Sequence, residues 1–211
     1  IRMEREQRQT DATLAEADDK VDAALTGWGV PVQVIDGLAS FQREGVHFAC
    51  NAETNDGRAL IADEMGLGKT RTAIGCMCVF RSDWPVLIVC PSSARHHWRA
   101  ELLALTCNVY GEDGKPYLAP QEVTVVEGGS HPLGTTARNR RYKVAIISYN
   151  LVGGMYDKLR TMGFNVLVVD ESHYLKSSKA KRTQHMKRLV DASKRCIMLS
   201  GTPALSRPME L

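Results

Sequence analysis

Asp63-Glu64-Met65-Gly66-Leu67-Gly68-Lys69-Thr70 is the stretch on which the reading of this chain turns. A short apolar run over 58–62 precedes it, and a helix-like segment follows to about residue 80. Glycine lets a backbone turn tightly and come close to phosphate oxygens. The helix start behind it points N–H groups and a positive dipole end at them. Lys69 would neutralise terminal phosphates and the Thr70 hydroxyl would meet Mg²⁺. Phosphate loops of this kind usually carry one more glycine, five residues before the Gly-Lys pair. Asp63 stands there instead, so the motif alone leaves a chance Gly-Lys-Thr open. The strand, loop and helix context argues against chance.

A hundred residues on comes Asp170-Glu171-Ser172-His173, directly after the apolar run Val166-Leu167-Val168-Val169. In an open parallel sheet, ligands bind at the carboxyl ends of the strands. Asp170 could hold Mg²⁺ there, and Glu171 could orient or deprotonate a water. His173 could sense the terminal phosphate. Alone, this run reads equally well as an acidic turn capping a helix. Beside Lys69 and Thr70, the hydrolytic reading is the stronger.

Strand-like runs at 58–62, 86–90, 123–126, 144–148, 166–169 and 196–199 alternate with helical stretches at 68–80, 92–105, 151–162 and 180–192. That alternation predicts an α/β fold, a mostly parallel sheet with helices on both faces. Residues 1–30 are charged and sparse in apolar positions. They predict a peripheral, partly disordered helical extension, broken by Gly27, Gly29 and Pro31. The main domain is expected over 38–211.

The 211 residues carry 44% hydrophobic side chains and a net charge of +3. That suits one buried core, and any nucleic-acid contact must come from local clustering of charge. Six cysteines (Cys50, Cys76, Cys78, Cys90, Cys107 and Cys196) show no zinc spacing and read as small buried hydrophobes. His96-His97 reads as helix surface. No apolar run reaches the roughly 20 residues a membrane helix needs, and no signal peptide is evident. A soluble intracellular protein without membrane partners is expected.

Together these motifs resemble a Snf-family ATPase of helicase superfamily two over about residues 38–211. Asp-Glu-Met-Gly-Leu-Gly-Lys-Thr is similar to that family's phosphate loop, which accounts for Asp63. Asp170-Glu171-Ser172-His173 resembles its DExH box. Phe41-Gln42-Arg43-Glu44-Gly45-Val46 resembles the adenine-contacting segment, with Gln42 as base reader. Cys90-Pro91-Ser92-Ser93 with Trp98, and Ser148-Tyr149-Asn150, resemble DNA-facing segments. Leu199-Ser200-Gly201-Thr202-Pro203 resembles the segment that couples hydrolysis to movement. Ala204-Leu205-Ser206-Arg207-Pro208 is closest to the HARP-like annealing-helicase branch.

The resemblance implies the first RecA-like lobe of a P-loop NTPase. ATP and Mg²⁺ would sit on Asp63 to Thr70, Gln42 and Asp170, with Lys69, Asp170 and Glu171 catalytic. Ser200, Gly201, Thr202 and His173 would couple, and Ser92, Ser93, Trp98, Ser148, Tyr149 and Asn150 would meet DNA. The expected partner is duplex or branched DNA, held by its phosphates without sequence readout. A nuclear location is implied. The family's second lobe supplies arginine fingers, so the chain resembles an isolated first lobe with negligible turnover of its own.

The leading expectation is a motor lobe that rewinds or remodels DNA such as stalled forks. A chromatin-remodelling motor, a nucleic-acid-binding lobe without hydrolysis, and an NTPase acting on RNA are the alternatives. The cations at Lys176, Lys179, Lys181, Arg182, Lys187, Arg188, Lys194 and Arg195 read by charge alone as a solvated helix face. So do Arg138, Arg140, Arg141 and Lys143.

Overall fold

A computed structural model of the chain describes residues 2–106, 108–110, 114, 116–133, 142–175 and 181–201, with side chains for all of these except 2–14, 181 and 182. Six strands make one sheet: β1 Arg58–Ile61, β2 Val86–Cys90, β3 Val123–Val125, β4 Val144–Ser148, β5 Val166–Val169 and β6 Arg195–Leu199. Their spatial order is β1-β6-β5-β2-β4-β3, and every pairing is parallel. All carboxyl ends therefore meet one edge. The segments after β1, β6, β5, β2 and β4 are neighbours there, although up to 140 positions separate them in the chain.

Helices cover both faces. They are α1 Arg2–Gly27, α2 Val32–Asp36, α3 Ser40–Cys50, α4 Lys69–Val79, α5 Arg95–Thr106, α6 Tyr149–Met162 and α7 Lys181–Ala192. Strand side chains alternate between the faces, so each central strand feeds two cores. Val86, Ile88, Val144, Ile146, Val166 and Val168 join Leu25, Val46, Ile74, Met77, Trp98 and Leu102 of α1, α3, α4 and α5. Leu87, Val89, Ile147, Leu167 and Val169 join Val152, Met155 and Leu159 of α6 and Met186 of α7. Strands β2, β4 and β5 are buried along their whole length. That is why they read as unbroken apolar runs rather than alternating ones.

Three local features depart from the sequence reading. Pro31 does not merely break α1. With φ −60° it caps α2, whose Val34 and Ile35 are buried in the core. Helix α6 begins at Tyr149, directly after β4, with Ser148 extended as its N-cap. Between α5 and β3, where the sequence reading has neither strand nor helix, Tyr110 and Pro116 form an isolated bridge.

The end of α1 is fastened to α3. Leu25 is fully buried, Ser40 donates to Asp18, and the Arg43 guanidinium donates to Asp22. Two aspartates thus anchor a helix whose apolar positions are few.

The five described cysteines are buried and free of disulfides. Burial pushes the Cys78 and Cys90 thiols up to about 12, and Cys196 up to about 11, which suppresses reactive thiolate. Among the described residues, no helix is long and apolar enough to cross a membrane.

Candidate active site

The loop between β1 and α4 turns at Gly66 and Gly68, with φ +88° and +72°. Both lie in the left-handed region that glycine enters at little cost. A Cβ on Gly68 would stand 2.5 Å from Gln42 Nε2, so glycine is required there by space as well as by backbone. Helix α4 starts immediately, with Arg71 N–H donating to the Gly68 carbonyl at 2.8 Å.

Lys69 folds back over its own loop. Its Nζ donates to the carbonyls of Asp63 (2.8 Å) and Glu64 (2.7 Å). Met65, Gly66 and Leu67 are exposed, and Thr70 is half-buried in the first turn of α4. The loop's N–H groups and the α4 dipole favour an anion.

Gln42 is buried, not free on a base-binding surface. Its Oε1 accepts from the Ala39 N–H at 3.0 Å, and its Nε2 donates to the Leu67 carbonyl at 2.9 Å. The side chain ties α3 to the crest of the loop. An open cleft of about 370 Å³ lies alongside, lined by Ala39, Phe41, Gln42, Leu67, Gly68 and Arg71 among others.

Asp170 and Glu171 follow β5, and the Asp170 N–H completes the sheet ladder on the Val89 carbonyl at 2.8 Å. Burial pushes the Asp170 carboxyl up from its usual range. The Trp98 indole opposes this, the negative charge of Glu171 adds to it, and the Glu171 N–H and the Lys69 charge oppose it. Glu171 itself has φ +51°, a left-handed conformation that costs a non-glycine residue about 1–2 kcal/mol. His173 Nδ1 lies 3.1 Å from Glu171 Oε2.

Ser200 and Gly201 arrive from β6, between β1 and β5. The Ser200 N–H donates to the Ile61 carbonyl at 3.1 Å. A Cβ on Gly201 would stand 2.7 Å from Met65 Cγ and 3.6 Å from Lys69 Nζ. The expected coupling segment therefore touches the phosphate loop directly. Thr202 lies outside the described residues.

The expected DNA contacts divide. Ser92 and Ser93 are exposed in a short 3₁₀ turn after β2, and Asn150 is exposed in the first turn of α6. Trp98, Ser148 and Tyr149 require correction. They are 0%, 3% and 3% exposed and cannot touch an external duplex. Trp98 Nε1 donates to Asp170 Oδ2 at 2.8 Å, and the Tyr149 hydroxyl donates to the Asp170 carbonyl. An indole or phenol buried in a core must find an acceptor for its donor, and here both find Asp170. No sequence signal linked them, since they stand 72 and 21 positions from Asp170.

The basic stretch also divides. Lys187 and Arg188 are exposed on α7. Lys194 and Arg195 stand at the amino end of β6, away from the site, and are paired with Asp83 and Asp56. Arg138, Arg140, Arg141, Lys176 and Lys179, and the side chains of Lys181 and Arg182, lie outside the described residues. Lys143 is paired with Glu122 at 2.6 Å.

No group of three or more His, Cys, Asp or Glu side chains that could hold a metal occurs among the described residues. The donors here are one carboxylate and one hydroxyl. That set fits Mg²⁺, which keeps waters and shares phosphate oxygens rather than filling a protein cage. Asp170 Oδ2 takes the Trp98 donor, and a carboxylate keeps further lone pairs with which it could meet a cation.

Residues 41–211 match the SNF2-related domain family. The chain is 40% identical over 178 residues to the DNA annealing helicase and endonuclease ZRANB3 of Bos taurus, covering 82% of this chain and 15% of that protein. It is 40% identical over 203 residues to SWI/SNF-related matrix-associated actin-dependent regulator of chromatin subfamily A-like protein 1 of Xenopus laevis, covering 96% of this chain and 19% of that protein. The chain thus spans less than a fifth of the length of either relative. Its fold matches the Sulfolobus solfataricus SWI2/SNF2 ATPase core in complex with dsDNA, with TM-score 0.65 and 22% identity over 81% of this chain and 33% of that one.

Proposed function

The chain belongs to the SNF2-related domain family, and from that premise we propose that it is the first, ATP-binding lobe of a DNA-dependent ATPase, an annealing-helicase motor that rewinds or remodels DNA such as stalled forks. The observation that carries the reading is the strand order β1-β6-β5, which brings the phosphate loop after β1, Gly201 after β6 and Asp170 after β5 to one edge of the sheet. The likeness to a named annealing helicase supports the DNA substrate.

In this reading the triphosphate enters over Gly66–Gly68 and draws Lys69 off the Asp63 and Glu64 carbonyls. The α4 N–H groups take the phosphate oxygens, and the nucleoside lies in the cleft beside Ala39, Phe41 and Arg71. Thr70 and Asp170 would hold Mg²⁺, which when bound neutralises charge on the phosphates. Glu171 orients the attacking water and accepts its proton, with His173 beside it. Phosphoryl transfer is mostly positioning and charge stabilisation. The arginine that completes the site belongs, in this reading, to a second lobe of the same protein. Ser92, Ser93 and Asn150 would face the phosphates of duplex or branched DNA. A nuclear location belongs to this reading and is supported by the chromatin-regulator name of the Xenopus relative.

The test is ATP hydrolysis by the full-length protein with and without duplex and forked DNA. DNA should stimulate it, and Lys69→Ala should abolish it. Turnover that survives Lys69→Ala would end the assignment of the phosphate loop. A chromatin-remodelling motor is the second reading, favoured by the name of the Xenopus relative. It predicts stronger stimulation by nucleosomes than by forks. Preferential stimulation by RNA would overturn both.

A further inference from the structure

Two buried donors converge on Asp170 from the two segments whose exposed residues face the carboxyl edge. After β2, the exposed Ser92 and Ser93 run through a 3₁₀ turn straight into α5. The Arg95 side chain ties that turn down, its Nε donating to the Ser92 carbonyl at 3.2 Å. One turn later the fully buried Trp98 donates from Nε1 to Asp170 Oδ2 at 2.8 Å. After β4, the exposed Asn150 neighbours the buried Tyr149, whose hydroxyl donates to the Asp170 carbonyl. The Tyr149 ring stacks on Tyr174 (centroids 5.5 Å, planes 10° apart), and Tyr174 in turn meets the His173 ring at 5.0 Å.

The rings fill the core, but the Trp98 N–H and the Tyr149 hydroxyl add a donor that an apolar ring would not carry. Each is aimed at the residue that would hold the cation. Trp98 selects one carboxylate oxygen and so sets the rotation of the other. Tyr149 sets the height of the Asp170 peptide above the end of β5.

We propose that Trp98 and Tyr149 are positioning residues that couple occupancy of the surface at Ser92, Ser93 and Asn150 to the placement of Asp170, so that bound polynucleotide phosphate aligns the hydrolytic site. The inference rests on the motor reading above. It assigns that reading's DNA stimulation to two hydrogen bonds. A rigid path runs from each exposed segment to Asp170, about one helical turn long on the α5 side and a single residue long on the α6 side. Small displacements of either helix start therefore reach the carboxylate undiminished. The hydrogen bonds act on a charged or partly charged acceptor, where loss of one donor is worth about tenfold in an equilibrium or a rate.

The experiment uses the full-length protein, with the ratio of DNA-stimulated to basal ATP hydrolysis as its readout. Tyr149→Phe keeps the ring and removes only the hydroxyl, whereas Trp98→Phe removes the N–H together with one ring of a fully buried indole. Each should lower the ratio about tenfold, with binding to duplex DNA near wild type; thermal stability should stay near wild type in Tyr149→Phe and fall in Trp98→Phe. Trp98→Phe should also raise the Mg²⁺ concentration at half-maximal rate, because its lost bond touches the carboxylate. Tyr149→Phe should not, because its lost bond touches the carbonyl. Leu102→Val, a buried change on the same helix that does not touch Asp170, should leave the ratio unchanged. If wild type is stimulated and both Phe variants keep its ratio, the inference fails and the motor reading stands. A fall in Leu102→Val as large as that in Trp98→Phe also sinks it, because general packing would then explain the effect. If wild type shows no stimulation by DNA, both fall together.

Discussion

The Lys69 ammonium lies 2.8 Å from the Asp63 carbonyl, at the position where a usual phosphate loop has glycine. With the Glu64 carbonyl at 2.7 Å, the lysine uses two of its three donors within its own loop. The loop is thus closed on itself through the lysine that, in the reading above, meets phosphate. Binding exchanges two neutral carbonyl acceptors for charged phosphate oxygens, and charge-assisted bonds are the stronger.

Charge alone at position 69 should therefore not suffice. An ammonium is a compact point charge that two carbonyls can share, whereas a planar guanidinium needs more room and a fork geometry. Lys69→Arg in the full-length protein should lose about 10²-fold or more in kcat. Steady-state ATP hydrolysis under saturating DNA checks this, and near-wild-type turnover would contradict it.

Two glycines of the site should respond unequally to alanine. At Gly68 the backbone is left-handed, and the new methyl meets Gln42, which is held at both ends of its amide. Gly68→Ala should cost about 1–2 kcal/mol from the backbone alone and weaken nucleotide binding at least tenfold. At Gly201 the methyl meets Cγ of the exposed Met65 side chain, which can turn away into solvent. Gly201→Ala should be mild in both respects. Chemical denaturation together with binding of a fluorescent ATP analogue separates the two.

Glu171 combines a strained backbone with the expected water-orienting role. Glu171→Gln should keep nucleotide affinity and lower kcat about 10²–10⁴-fold, the usual worth of a general base. Among inactive variants, Glu171→Gly should be more stable than Glu171→Ala by about 1 kcal/mol, since only glycine adopts φ +51° freely. Equal stability of these two would argue against the left-handed turn.

Far from the site, Asp83 receives Lys194 Nζ at 2.8 Å and Arg195 Nε at 3.0 Å. The Lys194 hydrogen bond, resisted by burial and reinforced by Arg195, holds the Asp83 carboxyl below the usual carboxylate range. A carboxylate with a depressed folded value contributes stability that is fully present above its unfolded value of about 3.9. That contribution is lost as pH falls through the lower, folded value. Asp83→Asn should therefore cost about 1–2 kcal/mol at pH 7. The gap to wild type should narrow below about pH 4. Urea unfolding at the two pH values measures it, and a gap that is constant with pH would contradict the assignment.

The 211-residue chain expressed by itself should bind nucleotide weakly and show negligible DNA-stimulated hydrolysis. Arginine fingers in related phosphoryl transfer are worth about 10³–10⁵, and in the reading above that arginine lies in another lobe. Robust stimulated turnover by the chain alone would refute this.

Much of the fold was legible because its signals are local. Each strand is a mostly apolar run three to five residues long. Burial of both faces of β2, β4 and β5 made those runs continuous. The phosphate loop and the acidic box were legible for the same reason: glycine, lysine and carboxylates in short fixed spacings state their chemistry without their neighbours. Helix α2 was not legible, because its five residues carry no period and only the core draws Val34 and Ile35 inward.

The roles of Gln42, Trp98 and Tyr149 belong to the tertiary structure alone. In sequence each is a polar-tipped side chain, and for Trp98 a core anchor and a DNA contact read equally well. What decides is the packing: the parallel order β1-β6-β5-β2-β4-β3 brings the segments after β2 and β4 to the edge where β5 ends and buries Trp98 and Tyr149 toward Asp170, while α3 buries Gln42 against the loop after β1. A buried amide, indole or phenol must satisfy its donor, and the acceptors within reach were Leu67 and Asp170. The sequence by itself determined which chemistry the chain can carry. Only the packed sheet decided which side chains face outward to a ligand and which turn inward to aim the carboxylate.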